Sequence, residues 1–151
     1  GIALLTGMEI IDLPQPTGHL DVDYPIWAKI ALDSLKKYNG IYVHIKGPDE
    51  PGHDGNFNKK KEIIEAIDKF FFASLLPDLD ISNTVIAVTS DHSTVCAIKA
   101  HSSDPVPLLV CGGNIQPDGS LSFSEKAAKL GSIGELRGQG IMPLLVSLAK
   151  E

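Results

Sequence analysis

Three short runs of aliphatic and β-branched residues constrain this chain most: IYVHI (41–45), TVIAVTS (84–90) and VPLLVCGG (106–113). Each is too short for an ordinary helix and is bounded by turn-forming residues. The second and third read as strands buried on both faces, the pattern of a parallel sheet. Helical patterns lie between and around them. PIWAKIALDSLKKY (25–38) puts Pro25 at the first helical position, and Asn39-Gly40 predicts a left-handed cap at its end. A long helix is predicted from Asn58 through Phe72, with Ile63, Ile64, Ile67, Phe70 and Phe71 on its buried side and Pro77-Asp78 ending it. Ser122 and Glu125 are spaced as a capping box for a short helix over 123–130, and GIMPLLVSLAKE (140–151) predicts a terminal helix. KGPDEPGHDGN (46–56), with two prolines and three glycines, is predicted as loop, and the polar stretch 91–104 as a connection between strands. Strands alternating with helices imply βαβ units: an α/β domain of three αβα layers around a mostly parallel sheet.

The 151 residues suffice for one compact domain, and 43% hydrophobic with 21% charged residues excludes a fibre or a disordered chain. Thirteen Lys and Arg against nineteen Asp and Glu give a net charge of −6. An acidic chain without a basic run is not built for nucleic acid or an anionic membrane. No apolar stretch approaches the roughly 20 residues that span a bilayer. The first residues, GIALLTGM, lack both an initiator Met and the basic start of a signal peptide, so a piece of a longer protein is expected. Cys96 and Cys111 form no CxxC pair. That argues against a disulfide scaffold or thiolate zinc site and fits a reducing cytoplasm.

The chemistry concentrates in histidines and aspartates at predicted strand ends. Asp49 and His53 are four apart in the loop after the first run, Asp91 and His92 follow the second, and His101 precedes the third. In an open parallel sheet the loops at the carboxyl ends of the strands gather into one crevice. Imidazole and carboxylate ligands without thiolate suit zinc or manganese, and five of them exceed the needs of one tetrahedral ion. A pair of ions sharing a phosphate oxygen would use them better. An isolated Asp-His or DxxxH is weak, since turns use the same residues. The remaining candidates carry less. His44 reads as a structural histidine in a strand, His19 as exposed in a turn, and Cys96 and Cys111 as small buried hydrophobes. Lys46 reads as an exposed charge that could reach an anion, the lysines 59–61 as the solvated first turn of a helix, and Arg137, beside three glycines, as holding a terminal loop or a phosphate.

VHIKGPDEPGHDGN (43–56), TSDHST (89–94) and KAHSSDPVPLL (99–109) together resemble the archaeal-type cofactor-independent phosphoglycerate mutases of the alkaline phosphatase superfamily. GMEIIDLPQPTGHLDVDY and GELRGQGIMPLL extend the resemblance over nearly the whole chain. The resemblance implies a C-terminal part of an alkaline phosphatase-like αβα fold. Residues 1–23 would end an inserted substrate domain or its return linker, and 24–151 would form the C-terminal half of the metallo-phosphotransferase domain. It further implies that Asp49, His53 and His101 hold one divalent ion and that Asp91 and His92 help to hold a second. The ions would be Mn²⁺ or Zn²⁺, with Co²⁺ or Mg²⁺ as alternatives. The reaction implied is interconversion of 3-phosphoglycerate and 2-phosphoglycerate in the cytoplasm, through a phosphoserine and without added bisphosphoglycerate.

One departure is plain: no segment matches the family's nucleophilic serine block or its N-terminal aspartate. Ser90, Ser93 and Thr94 flank the Asp91-His92 pair but do not match the nucleophile. No catalytic nucleophile is therefore assigned in this chain, which is expected to be inactive alone. Two rivals compete with the mutase. Phosphatases, phosphodiesterases and phosphopentomutases of the superfamily share the ligand pattern, and a non-catalytic α/β binding module would carry the same residues as loop decoration.

Overall fold

The computed structural model describes residues 2–149. Gly1 of the expected first segment, and Lys150 and Glu151 of the predicted terminal helix, lie outside them. In chain order the elements are α1 (Ile2–Leu5), α2 (Leu20–Leu35), α3 (Asp49–Asp54) and α4 (Phe57–Ala66), which runs on through a π-helix (Ile67–Phe72), α5 (Ala73–Leu75) and a 3₁₀ turn (Leu76–Asp78). Four three-residue strands follow: β1 (Ile86–Val88), β2 (Ser93–Val95), β3 (Ala100–Ser102) and β4 (Leu109–Cys111). Then come α6 (Glu125–Ala128) and α7 (Gly138–Leu148). The chain divides into two compact units, Gly1–His44 with Ile64–Asp78 and Ile45–Ile63 with Leu79–Glu151.

The first unit is helical. Its core is one face of α2, where Tyr24 (1% exposed), Ala28 (0%) and Ala31 repeat at helical spacing. That face packs on the π-helix and α5, which contribute the buried Phe71 and Leu75. α2 begins at Leu20, not at Pro25, which sits inside it. The cause is Asp23: its carboxylate accepts from the Thr17 amide (3.0 Å), the Thr17 hydroxyl (2.8 Å) and the Gly18 amide (3.2 Å), locking the preceding turn against the helix start. An acidic first turn also suits the helix dipole, and Pro25 forgoes only one helical bond there. At the other end α2 stops at Leu35, because the Ser34 carbonyl takes the amides of both Lys37 and Tyr38. The predicted Asn39-Gly40 cap is absent; neither residue has left-handed φ.

The burial pattern over 63–75 departs from strict helical period at a π turn. Ile63, Ala66, Phe71 and Leu75 are buried, whereas Ile64 is exposed and Ile67 and Phe70 are half-buried. The five-residue step from Ala66 to Phe71 is the register shift of a wider π turn.

The second unit carries the strands. β1 and β4 pair antiparallel, Ile86 with Cys111 and Val88 with Leu109. β2 and β3 form an antiparallel hairpin with Thr94 opposite His101. The architecture is mixed α/β, but its pairing among the described residues is antiparallel, in two two-stranded sheets. The expected mostly parallel sheet and its three layers are not formed among the described residues. Residues 41–45 do not form a strand here, since an extended segment becomes one only when a neighbour supplies its hydrogen bonds. The second and third runs shrink to three residues each and are only partly buried, because a two-stranded sheet leaves its faces largely open. The cap of α6 is Ser124, whose hydroxyl accepts from the Ala127 amide at 3.2 Å, not Ser122.

Candidate metal centre

The segment expected to be loop at 46–56 contains α3, and this places the first two candidate ligands. Asp49 opens the helix and His53 follows one turn later, so both point from one face. Pro51 lies in the first turn, where a missing amide costs nothing, and Gly55 closes α3 in left-handed conformation with φ 73°. The stretch 91–104 folds into the β2–β3 hairpin, an element that polar composition concealed. Val95 O accepts from the amides of Ile98 (3.2 Å) and Lys99 (2.8 Å), and Lys99 takes a left-handed φ of 54°. The hairpin register sets His101 opposite Thr94, and strand alternation puts His92 on the same side as Thr94.

These elements bring the side chains together. Single ligand atoms of Asp49, His92 and His101 lie within 4.8 Å of one another. His53 Nε2 stands 3.4 Å from Asp49 Oδ1 and 3.1 Å from His101 Nε2, and His101 Nε2 is 3.6 Å from the same carboxylate oxygen. The His92 and His101 rings lie against each other, tilted by 32°, with centroids 3.7 Å apart. Asp91 joins at the edge, its Oδ2 3.5 Å from His92 Nε2, and is exposed. The three-residue group thus draws on both of the ligand sets that the resemblance implies.

Thr94 is the residue that sequence reasoning passed over. It is only 4% exposed, and its hydroxyl lies 2.7 Å from Asp49 Oδ1 and 3.1 Å from His92 Nδ1. The His92-x-Thr94 spacing, the period of a strand face, is the signal that could have found it. Two further contacts fix its backbone. Lys60 Nζ donates to the Thr94 carbonyl at 2.5 Å, and Gly52 of α3 lies so close that a Cβ there would sit 2.8 Å from Thr94 Cγ2 and 2.9 Å from Thr94 O. The Thr94 hydroxyl chiefly, and the neighbouring imidazoles of His53, His92 and His101, hold the Asp49 carboxyl below the usual carboxylate range, against partial burial that pushes it up.

The donor set fits a divalent ion. His53 Nδ1 is 3.3 Å from the Lys99 carbonyl, which can only accept, so the neutral ring carries its proton there. The Nε2 lone pair then faces His101 Nε2 and Asp49 Oδ1, an arrangement of lone pairs and negative charge that a cation would satisfy. The remaining candidates sit elsewhere in their own units. His44 is exposed and stacks on Tyr42 (6.4 Å between centroids), and is not the satisfied strand histidine expected. His19 is exposed at the N-cap of α2, and Arg137 is exposed at the N-cap of α7. Lys46 is exposed, and Cys96 and Cys111 are half-buried, not buried.

The chain is a mixed α/β protein with a cluster of imidazole and carboxylate donors, no cysteine among them, that could hold a metal ion. The family model described as the Metalloenzyme superfamily matches residues 2–148, and the chain belongs to that superfamily. Among curated relatives, the 2,3-bisphosphoglycerate-independent phosphoglycerate mutases of Methanoculleus marisnigri and Thermococcus kodakarensis are each 38% identical to it over 148 residues. The matches cover 98% of this chain but 35% and 36% of the two relatives, so the chain spans about a third of their length. The solved PH0037 protein of Pyrococcus horikoshii is 36% identical and superposes with a TM-score of 0.92, over 99% of this chain and 39% of that one.

Proposed function

We propose that this chain is the C-terminal part of a cofactor-independent phosphoglycerate mutase, with residues 24–151 in its metal-binding domain and 1–23 at the return from an inserted domain. The observation that carries the reading is the convergence of Asp49, His92 and His101 ligand atoms within 4.8 Å, in a chain whose relatives of that name match 98% of it. Asp49, His53, His101, Asp91 and His92 would hold two divalent ions, Mn²⁺ or Zn²⁺ in preference to Co²⁺ or Mg²⁺ given the imidazoles. Ions held there would lower the pKa of an attacking hydroxyl and neutralise phosphoryl charge. This chain's residues contribute charge and orientation: Asp49 supplies an anionic oxygen, α3 holds His53 beside it, and the hairpin fixes His101 against both.

The nucleophilic serine would come from the part of the protein outside these residues, so the isolated chain is expected to be inactive. In the whole protein the three-layer, mostly parallel sheet would be completed by strands from that part, giving residues 41–45 the neighbour they need. The substrate would be phosphoglycerate and the setting the cytoplasm; among the described residues no helix is long and apolar enough to cross a membrane. The test is twofold. The longer protein should isomerise 3-phosphoglycerate, and Asp49→Ala should abolish this. Hydrolysis of a generic phosphoester without isomerisation would instead assign a phosphatase or phosphodiesterase of the same superfamily. Absence of Mn²⁺ binding by that longer protein would leave the non-catalytic module.

A further inference from the structure

Thr94 has one hydroxyl proton and two polar neighbours at hydrogen-bond distance, Asp49 Oδ1 at 2.7 Å and His92 Nδ1 at 3.1 Å. A carboxylate can only accept, so the hydroxyl proton goes to Asp49 and the second bond must be donated by the ring, from Nδ1–H of His92. A neutral His92 bonded in that way has its lone pair on Nε2. The hydroxyl is nearly fully buried, its backbone is tied by Lys60, and the close approach of Gly52 brings α3 against it. A mobile surface threonine would not impose such a bond; this one has no room to turn away.

From this we infer that Thr94 is a positioning residue that sets the tautomer of His92 and the orientation of Asp49 together, so that Nε2 and the carboxylate present as one preorganised pair to a divalent cation. The inference rests on the metal-site reading for its cation, but the tautomer it assigns exists without one. A single hydroxyl thereby links the DxxxH helix to the Asp-His strand. It acts on one side as the outer partner of an imidazole and on the other as the outer partner of a carboxylate, the two roles that commonly tune ligand basicity. His53 obtains the same tautomer from a different group, the Lys99 carbonyl at 3.3 Å, so the cluster would use two independent outer partners.

The experiment is a long-range ¹H–¹⁵N correlation of the histidine rings in the metal-free longer protein at neutral pH, followed by Mn²⁺ titration calorimetry, on the wild type, Thr94→Val and Thr94→Ser. Expected are an Nδ1–H tautomer for His92 in the wild type and Thr94→Ser, and a mixed or Nε2–H tautomer in the isosteric Thr94→Val. Mn²⁺ affinity should fall about 10–100-fold in Thr94→Val and stay within about threefold in Thr94→Ser. An Nε2–H tautomer in the wild type overturns the inference without any variant, even if Thr94→Val fails to fold. So does a Thr94→Val ring indistinguishable from wild type, or a Thr94→Ser as weak as Thr94→Val. A wild type that shows Nδ1–H but binds no Mn²⁺ rejects the role toward a cation together with the metal reading. Tight wild-type binding with an unchanged Thr94→Val rejects the role of Thr94 alone.

Discussion

His53 stands one helical turn after Asp49 in α3, with its Nε2 3.4 Å from Asp49 Oδ1 and its other ring nitrogen turned to the Lys99 carbonyl. The pair is oriented before any ion arrives. His53→Ala should therefore weaken Mn²⁺ binding by more than the roughly 10–100-fold typical of an outer-shell change. The Thr94 hydroxyl holds the Asp49 carboxyl low, so it stays charged to lower pH than an ordinary aspartate and remains an anionic donor under mild acid. A carboxyl ¹³C titration of the metal-free protein reads this directly; an ordinary aspartate midpoint of about 4 would contradict it.

Gly52→Ala tests the approach of α3 to β2. A methyl group at Gly52 would meet Thr94 Cγ2 at 2.8 Å and the Thr94 carbonyl oxygen at 2.9 Å, so backbone must move. Overpacking of this kind costs about 1–3 kcal/mol. The expected result is a lower denaturant midpoint with weakened Mn²⁺ binding, because moving α3 pulls Asp49 from the Thr94 hydroxyl. Unchanged stability and affinity would show that the hairpin yields freely.

Ala28→Leu probes the other unit. Ala28 is 0% exposed on the α2 face that packs against the π-helix and α5. Three added carbons have no space there, and destabilisation of about 1–3 kcal/mol is expected by urea unfolding. Leu130→Ala, a change at an exposed side chain, should lie within about 0.5 kcal/mol of wild type.

Asp118 anchors the loop before α6. Its carboxylate accepts from the Ser132 amide at 2.8 Å and the Ser120 amide at 3.1 Å, and these bonds lower its pKa to about 2. A carboxyl depressed in the folded state takes up protons more readily when unfolded. Its contribution to stability is therefore fully present above about pH 4 and lost as the pH falls towards 2. Asp118→Asn should remove that pH-dependent component over this window. A carboxyl ¹³C titration giving Asp118 an ordinary midpoint near 4 would contradict the assignment.

Some of this molecule can be read along the chain. The identities and order of Asp49, His53, Asp91, His92 and His101 are linear information, and so is the alternation of helical and strand-forming runs. Local rules went astray where a distant group intervened. Asp23 reaching back to Thr17 and Gly18 moved the start of α2, and the π turn after Ala66 broke the period that marked Ile64, Ile67 and Phe70 as buried. The prolines and glycines of 46–56 suggested a loop because composition averages over positions. In fact Pro51 falls in a first turn and Gly55 at a C-cap, the two places where a helix accepts them.

The sequence by itself determined which side chains the chain brings: nitrogen and oxygen donors in a family-specific order, with acidic charge and no thiolate cluster. Only the tertiary structure decided how those donors meet. The β2–β3 register sets His101 opposite Thr94, and the approach of α3 lets one hydroxyl touch both Asp49 and His92 across 45 residues of chain. Strand register and side-chain bridges are pairings between distant residues. Their energies depend on what lies alongside in space, and no local propensity encodes that.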